Sequence, residues 1–310
     1  MTKVGKPPVA LIAGPTASGK SALALRLAEA TGGVVINADS AQIYRDLPIL
    51  SAAPTVEDRA RAEHLLYGSL DGATSCSAAD WAELAKIEIA QLHSEDRLPI
   101  LVGGTGLYLR TLVDGIAPIP EIDPQIRAEV RAASVAENLA ALAPLDPVAA
   151  VTLNPGDTTR IARALEVVWS TGKSLSVWQE EREGGIGEKI DIKALVLTPP
   201  RPWLYERCDR RFAEMVEKGA LEEVKALLAR GLNPDLPVMR AIGVAELGAH
   251  LRGELTLEEA ITAGTQSTRR YAKRQYTWFA HQPPPEWPRF HDPLEGDAID
   301  RALAMFVPAG

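Results

Sequence analysis

Residues 14–21, GPTASGKS, combine glycines, a lysine and a hydroxyl at a spacing that suits phosphate chemistry. The motif lies between an apolar run at residues 9–13 and a helical run at residues 22–30. In that context, backbone N–H groups and the helix N-terminus bind phosphate, the lysine reaches its outer oxygens, and the serine hydroxyl binds Mg²⁺. The predicted phosphate loop comprises Gly14, Pro15, Thr16, Ala17, Ser18, Gly19, Lys20 and Ser21, with Ser21 as the metal ligand.

A carboxylate at the end of a neighbouring predicted strand is the second chemical feature. Asp39 follows the run at residues 33–37, whereas the run at residues 98–102 ends in Gly103 and Gly104. Motor ATPases need an acid at the end of a hydrophobic strand to hold Mg²⁺ and to help orient water. The position of Asp39 instead favours group transfer, in which a carboxylate accepts a proton from an incoming hydroxyl or amine.

The elements that position these residues are typical of an α/β protein. Four short apolar runs end in glycine or polar residues, as expected of buried parallel strands whose carboxyl ends form a ligand crevice. They span residues 9–13, 33–37, 98–102 and 192–197. We predict a P-loop-type parallel sheet flanked by helices in residues 1–120 and 190–310, with a mainly helical lobe inserted at residues 121–189. The proline-rich tail beyond Pro283 is expected to wrap the surface.

Composition is that of an ordinary globular protein, with 310 residues of which 46% are apolar and 24% charged. No window approaches the length of a membrane span, and no signal-peptide pattern opens the chain. We therefore expect a cytoplasmic protein without membrane contact, and a monomer. Cys76 and Cys208 lack the companions of a metal or disulfide site, which predicts buried reduced thiols.

One basic segment departs from the net charge of −8, which by itself disfavours general affinity for nucleic acids. Residues 261–281 contain no acidic residue, and TLEE at residues 256–259 resembles a capping box at the start of this helix. The segment carries Arg269, Arg270, Lys273 and Arg274, with Tyr271, Tyr276, Trp278 and Phe279 nearby. From these residues alone, it is either a nucleic-acid contact or a solvated face above core aromatics.

Up to this point a small-molecule kinase and a transferase with a diphosphate-activated donor both remain open. Five motifs, in order, resemble the tRNA dimethylallyltransferase family and cover most of the chain. They are GPTASGKS at 14–21, DSAQIY at 39–44, VGGTGLY at 102–108, RALE at 163–166 and KRQYTW at 273–278.

The resemblance implies that the loop holds the diphosphate of dimethylallyl diphosphate. The dimethylallyl group would move to the exocyclic amine of the adenosine 3′ of the anticodon (position 37) in tRNA. Lys20 and Mg²⁺ would stabilise the departing diphosphate, Asp39 would take the amine proton, and Thr105 would join this catalytic set. The adenosine must leave its stack, and the resemblance implies contacts with it from Asp39, Ser40, Ala41, Gln42 and Thr105.

Further contacts with the anticodon stem-loop are implied on the lobe and on the basic helix. They are Arg127, Thr159, Arg160, Ile161, Ala162 and Arg163, together with Arg269, Arg270, Lys273 and Arg274. The chain departs from the family at residues 50–55, where LSAAPT replaces Gly-Thr-Ala-Lys-Pro-Thr, so that Leu50 replaces the glycine and Ala53 the lysine. Val244 and Ala245 stand where an aromatic and a basic residue are common. These departures concern acceptor contacts more than the reaction.

Two alternative hypotheses remain. One is another enzyme, either a small-molecule kinase or an isopentenyltransferase acting on free adenine nucleotides, which would have little use for the lobe and the basic helix. The other is a non-catalytic, nucleotide-dependent RNA-binding protein, which would not need an acid at the second strand end.

Overall fold

A six-stranded parallel sheet organises the first of two compact units in the computed structural model, which describes residues 5–307. Its strands are β1 (Pro8–Ala13), β2 (Val34–Asn37), β3 (His64–Leu65), β4 (Pro99–Gly103), β5 (Asp191–Leu197) and β6 (Arg289–Phe290). The strand order is β3-β2-β4-β1-β5-β6. The four strands predicted from apolar runs are confirmed, as is the α/β fold, whereas the two-residue edge strands β3 and β6 are too short to show a pattern.

The sheet register aligns the carboxyl ends of its central strands. Ala13 lies opposite Gly103 of β4 and Val196 of β5, and Asn37 lies opposite Val102. Loops that leave β1, β2 and β4 therefore start at the same edge, where parallel sheets form their ligand crevices. This edge carries the phosphate loop, Asp39 and Thr105.

Helices surround this sheet in chain segments before and after the second unit. Those that begin before it are α1 (Lys20–Thr31), α2 (Val56–Arg61), α3 (Ala78–Ser94) and α4 (Gly106–Asp114), whose last two residues belong to the second unit. Those after it are α10 (Arg201–Met215), α11 (Leu221–Ala229), α12 (Val244–Leu251), α13 (Leu257–His281) and α14 (Ala298–Leu303). A π-helical turn (Val216–Ala220) joins α10 to α11, and a 3₁₀ turn (Pro237–Arg240) precedes α12. Among the described residues, none of the helices has the length and the apolar run that crossing a membrane requires.

Helix α13 is the 25-residue basic helix predicted from the sequence, and the capping box of Thr256 and Glu259 is confirmed. Its buried residues recur every three or four positions, so that one face packs inward along its whole length. Gly264 lies on this face, where an added Cβ would lie 2.1 Å from the ring of Phe212. Glycine is therefore required for the close approach of α13 to α10.

The second unit is Val113–Ile186, and it has a hydrophobic core of its own. It contains α5 (Pro124–Ala132), α6 (Val135–Leu142), α7 (Pro147–Thr152), α8 (Thr158–Thr171) and α9 (Leu175–Glu180). The predicted lobe, residues 121–189, differs from this unit by eight residues at its start and three at its end. Ile116 and Glu183 form an antiparallel bridge, which joins the two ends of the segment and draws residues before 121 into the unit.

The prediction that the tail beyond Pro283 wraps the surface is wrong. β6 pairs with β5 as the edge strand of the sheet. The last residue of β6 and residues that follow it are buried at regular intervals in the core cluster that also holds Leu23 and Leu27 of α1. They are Phe290, Leu294, Ala298, Ala302 and Phe306. The tail thus contributes to the core through a strand residue, two residues of α14 and the segments on either side of that helix.

Candidate active site

The phosphate loop has the backbone curvature that its glycines allow. Gly14 has a φ of 153°, and an added Cβ would lie 2.7 Å from the carbonyl oxygen of Leu197. Gly19 adopts the left-handed conformation at the N-cap of α1, and Ala17 also has a positive φ, at 62°. Lys20 and Ser21 follow as the first helical residues, so the helix N-terminus opens into the loop.

Lys20 is held against the loop itself. Its Nζ donates a hydrogen bond to the carbonyl oxygen of Pro15 at 2.7 Å. Burial lowers the pKa of Lys20 to about 8, although the charge of Asp39 opposes this shift, and the Arg211 guanidinium adds to it. A bound anion would reverse the shift, because a negative charge favours the protonated ammonium.

Helix α10 contributes arginines to the loop that the sequence analysis missed. Arg211 donates a hydrogen bond to Thr16 Oγ1, and Arg207 donates one from Nε to the carbonyl oxygen of Ala17 at 3.0 Å. Burial lowers the pKa of the Arg211 guanidinium. Residues 207 and 211 fall one helical turn apart, so both side chains lie on the face of α10 toward the loop.

Asp39 is oriented by the last residue of β2. The buried side chain of Asn37 accepts a hydrogen bond from the Asp39 N–H at 2.8 Å and donates one to the Asp39 carbonyl oxygen at 3.0 Å. The carboxylate of Asp39 accepts a hydrogen bond from the Ala41 N–H at 3.0 Å. One carboxylate oxygen is thus used to fix the side chain, and Asn37 is a further site residue that the sequence analysis missed.

Thr105 joins the loop after β4 to the loop after β2. Its Oγ1 accepts a hydrogen bond from the Ser40 N–H at 3.0 Å, and its own N–H donates to the Ala38 carbonyl oxygen at 3.2 Å. Gly103 allows this approach, because a Cβ there would lie 2.0 Å from the Ala38 oxygen. The structure therefore brings Ser40 and Thr105 together, as an acceptor site requires.

Two pockets meet at this edge of the sheet. We call the first the polar crevice; it is lined by Lys20, Ser21, Gln42, Arg207 and Arg210, among others. We call the second the apolar cavity; it is lined by Tyr44, Leu47, Leu50, Tyr108, Phe212 and Met215, among others. Thr16, Asp39, Ser51 and Arg211 line both pockets. One carboxylate, two hydroxyls and one guanidinium therefore lie where the polar crevice meets the apolar cavity.

Comparison with known proteins shows the family of the chain. The family model described as IPP transferase matches residues 42–282. The chain belongs to the IPP transferase family.

Curated relatives in this family cover nearly the whole chain. The tRNA dimethylallyltransferase of Sphingopyxis alaskensis is 59% identical over 293 residues, which are 94% of this chain and 96% of that protein. The protein of the same name from Zymomonas mobilis is 52% identical and covers 95% of each chain.

Solved structures in the family share the fold. The full-length tRNA isopentenylpyrophosphate transferase of Bacillus halodurans superposes with a TM-score of 0.70 at 34% identity and covers 97% of this chain and 96% of its own. A eukaryotic dimethylallyltransferase, described as acting on tRNA, superposes with a TM-score of 0.75 at 30% identity and covers 88% of this chain and 69% of its own.

The departures of this chain from the family pattern fall at distinct places. Leu50 is buried in the wall of the apolar cavity, and Ala53 lines a third pocket beside Ser21. Val244 is buried and Ala245 is exposed on α12. Gln42 reaches the segment that contains Leu50 and Ala53, because its Nε2 donates to the carbonyl oxygens of residues 51 and 52 at 3.0 and 2.7 Å.

The basic face of α13 is exposed, but one of its charges is paired. Arg269 forms an ion pair with Asp209 of α10, and Arg270 donates a hydrogen bond to Ser267. The guanidinium of Arg274 lies 5.6 Å from the ring centroid of Tyr271, while Lys273 is exposed. Residues 261–281 of the helix lack acids, yet the neighbouring helix α10 supplies one in Asp209.

The aromatic residues of α13 pack inward rather than onto its basic face. Phe279 is buried, and an added Cβ at Gly106 would lie 2.4 Å from the ring of Trp278. Tyr276 accepts the guanidinium of Arg201 over its ring, and Tyr271 lines the apolar cavity. The exposed surface of this helix is therefore cationic and not a row of stacking platforms.

The predicted contact residues of the second unit divide by burial. Arg127, Thr159 and Arg160 are exposed and Arg163 is half-buried, whereas Ile161 and Ala162 lie in the core of the unit. Helical periodicity places these two side chains inward on α8, out of reach of a surface partner. Only the four polar side chains of this set can present a contact surface.

A buried glutamate organises the arginines of the second unit. Glu166 of α8 accepts a hydrogen bond from Arg131 Nε at 2.6 Å and lies 3.7 Å from Arg163 Nη1. Arg131 is exposed, and the sequence analysis missed it. A buried charge of this kind requires its partners, so Glu166 fixes both guanidinium groups.

Proposed function

We propose that the protein transfers a dimethylallyl group from dimethylallyl diphosphate to the exocyclic amine of the adenosine 3′ of the anticodon in tRNA, releasing diphosphate. The observation that carries this proposal is the position of Asp39, which lines both the polar crevice and the apolar cavity. A carboxylate at this junction can reach the acceptor amine while the phosphate loop holds the diphosphate of the donor. The relatives named tRNA dimethylallyltransferase and tRNA isopentenylpyrophosphate transferase support the same reaction.

The polar crevice serves the leaving group. Loop N–H groups, the start of α1 and the Lys20 ammonium would hold the diphosphate, and Arg211 lies beside them. Negative charge grows on the leaving oxygen as the allylic C–O bond breaks, so fixed cations and dipoles stabilise the transition state more than the bound donor.

Magnesium is proposed as the cofactor, with Ser21 as its ligand. The Ser21 hydroxyl is exposed in the polar crevice, which suits a hydrated ion that binds mainly to diphosphate oxygens. When bound, Mg²⁺ would neutralise part of the diphosphate charge. Within residues 5–307 no group of three or more His, Cys, Asp and Glu side chains forms a metal site, so the diphosphate would have to supply ligands.

Asp39 serves the acceptor. The exocyclic nitrogen attacks the allylic carbon, a C–N bond forms as the C–O bond breaks, and the electron pair leaves with diphosphate. The proton lost from nitrogen passes to the carboxylate of Asp39. Asn37 holds the main chain of Asp39, the Ala41 N–H holds its carboxylate, and Thr105 fixes the neighbouring Ser40.

The apolar cavity would bind the dimethylallyl group of the donor and the apolar face of the adenine base. With both substrates bound, its aliphatic and aromatic side chains would keep water, which competes for the allylic carbon, from the reacting atoms. Burial of apolar surface at about 25 cal/mol per Å² supplies binding energy that can offset a few kcal/mol for unstacking the adenosine. The exposed arginines and lysine of α13 and of the second unit would bind the phosphates of the anticodon stem-loop.

One assay separates this proposal from its alternatives. The protein is incubated with labelled dimethylallyl diphosphate or labelled ATP, and with unmodified tRNA, tRNA carrying guanosine at position 37, or free AMP. We expect label only on the unmodified tRNA and only from dimethylallyl diphosphate. Label on AMP, or phosphate transfer from ATP, would establish one of the other enzymes, and tRNA binding without transfer would establish the binding protein. A cytoplasmic location and a monomeric state stay predictions.

A further inference from the structure

The side-chain amide of Gln275 joins the phosphate loop to the loop that follows β4. Its Oε1 accepts a hydrogen bond from the Thr16 N–H at 2.7 Å, and its Nε2 donates one to the Gly104 carbonyl oxygen at 2.8 Å. Gln275 is 5% exposed and lies on the inward face of α13. One side chain thus satisfies a main-chain donor and a main-chain acceptor that lie 259 and 171 residues away.

The packing around this amide is close on both sides. An added Cβ at Gly104 would lie 2.3 Å from Gln275 Nε2, so only glycine leaves room for the contact. Thr16 is also held through its side chain, because Arg211 donates to Thr16 Oγ1. Removing the amide would leave a part-buried N–H and a buried carbonyl without these partners, which is unfavourable.

We propose that Gln275 is a positioning residue that holds the first turn of the phosphate loop in its anion-binding shape. Because the Thr16 N–H is committed to Gln275, the diphosphate is bound by N–H groups later in the loop and by Lys20. Gly104 immediately precedes Thr105, so the same amide also holds the acceptor side of the site. The expected effect on turnover rests on the proposed function, whereas the expected effect on anion binding does not.

Helix α13, which carries Gln275, also contributes to the apolar cavity and to the basic surface. Tyr271, one turn before Gln275, lines the apolar cavity, and the opposite face carries the exposed basic residues. The helix thereby connects the phosphate loop, the acceptor cavity and the proposed tRNA surface. Displacing Gln275 is expected to change the donor site while the basic face stays in place.

The test compares Gln275→Ala and Gln275→Glu with Phe279→Leu, which alters a buried side chain one turn further along the same face. Glutamate can still accept from the Thr16 N–H but, when ionised, cannot donate to Gly104. Binding of inorganic diphosphate with Mg²⁺ is measured by calorimetry, and hydrogen exchange is followed in the peptide that covers residues 14–21. Steady-state kinetics then give kcat and KM for each substrate.

We expect Gln275→Ala to weaken diphosphate binding about tenfold and to speed exchange of the loop by a similar factor. The affinity for tRNA should stay within about twofold. Gln275→Glu should fall between Gln275→Ala and the parent. Phe279→Leu should lower Tm and leave diphosphate binding and loop exchange unchanged.

Parental diphosphate affinity and parental loop exchange in Gln275→Ala would overturn the inference. Equal losses in Gln275→Ala and Phe279→Leu would overturn it as well, because they would reflect general destabilisation. If the parent transfers no prenyl group yet Gln275→Ala still weakens diphosphate binding, the proposed function fails and the positioning role of Gln275 stands.

Discussion

The hydroxyl of Thr105 accepts a hydrogen bond from the Ser40 N–H at 3.0 Å and so links the ends of β4 and β2 beside Asp39. Thr105→Val keeps the shape of the side chain but removes the acceptor. We expect kcat/KM for tRNA to fall about tenfold, because the Ser40 N–H loses its partner and the loop that carries Asp39 shifts. Steady-state kinetics check this, and Thr105→Ser, which keeps the hydroxyl, should retain most of the activity. Equal losses in the valine and serine variants would contradict the role of the hydroxyl.

Donor binding should depend on pH through Lys20. Burial lowers the pKa of this lysine to about 8 in the substrate-free protein, with Asp39, Arg211 and Cys208 as the neighbouring titratable groups. The bound diphosphate favours the charged ammonium, so binding requires the protonated form and its affinity falls as pH rises above about 8. Burial raises the pKa of Cys208, and its later ionisation does not reverse this trend.

Calorimetry with inorganic diphosphate and Mg²⁺ between pH 7 and pH 10 tests this dependence. The affinity should be flat below about pH 8 and then fall by up to about tenfold per pH unit. Lys20→Arg keeps its charge over this range and should bind without that fall, although its longer side chain can change the affinity itself. A parental curve that is flat to pH 10 would exclude Lys20 as the titrating group.

Neutralising the exposed cations of α13 should weaken tRNA binding and leave donor binding unchanged. Arg270, Lys273 and Arg274 are changed together to glutamine, and the dissociation constant for tRNA is measured between low and high salt. The slope of log affinity against log salt should decrease by about one per lost phosphate contact. Arg269→Gln should change it less, because that guanidinium is already paired with Asp209. An unchanged slope in the triple variant would assign this face to solvent alone.

The sequence located the residues of the site that lie within short motifs. GPTASGKS, Asp39 and Thr105 follow three strands whose apolar runs are visible, and the register of a parallel sheet brings their ends together. Arg211 was missed, and Gln275 was noted only as part of the motif KRQYTW, because both reach Thr16 from positions 195 and 259 residues away, through the packing of α10 and α13. No local pattern encodes such a contact.

Other differences between sequence and structure have a local cause that a closer analysis could have found. Leu294, Ala298, Ala302 and Phe306 repeat every four residues, which is a helical signal that the surrounding prolines obscured. Ile161 and Ala162 were assigned to tRNA contact with their polar neighbours, although the periodicity of α8 places them inward. The tertiary contacts of Gln275 had no comparable signal.

Asp39→Asn is the variant that tests the proposed chemistry most directly. An amide is nearly isosteric with the carboxylate and can still accept the hydrogen bond from the Ala41 N–H, so the fold and tRNA binding should survive within a few fold. It cannot take up the proton of the attacking amine. A general base typically contributes about 10²–10⁴-fold, and the chemical step should slow by that order in single-turnover experiments with both substrates saturating. Because Asn37 holds the main chain of residue 39 through its N–H and carbonyl oxygen, the variant side chain should start from the same place as the parent's. A rate above about a tenth of the parental value would show that Asp39 positions the base or the metal and that another group accepts the proton.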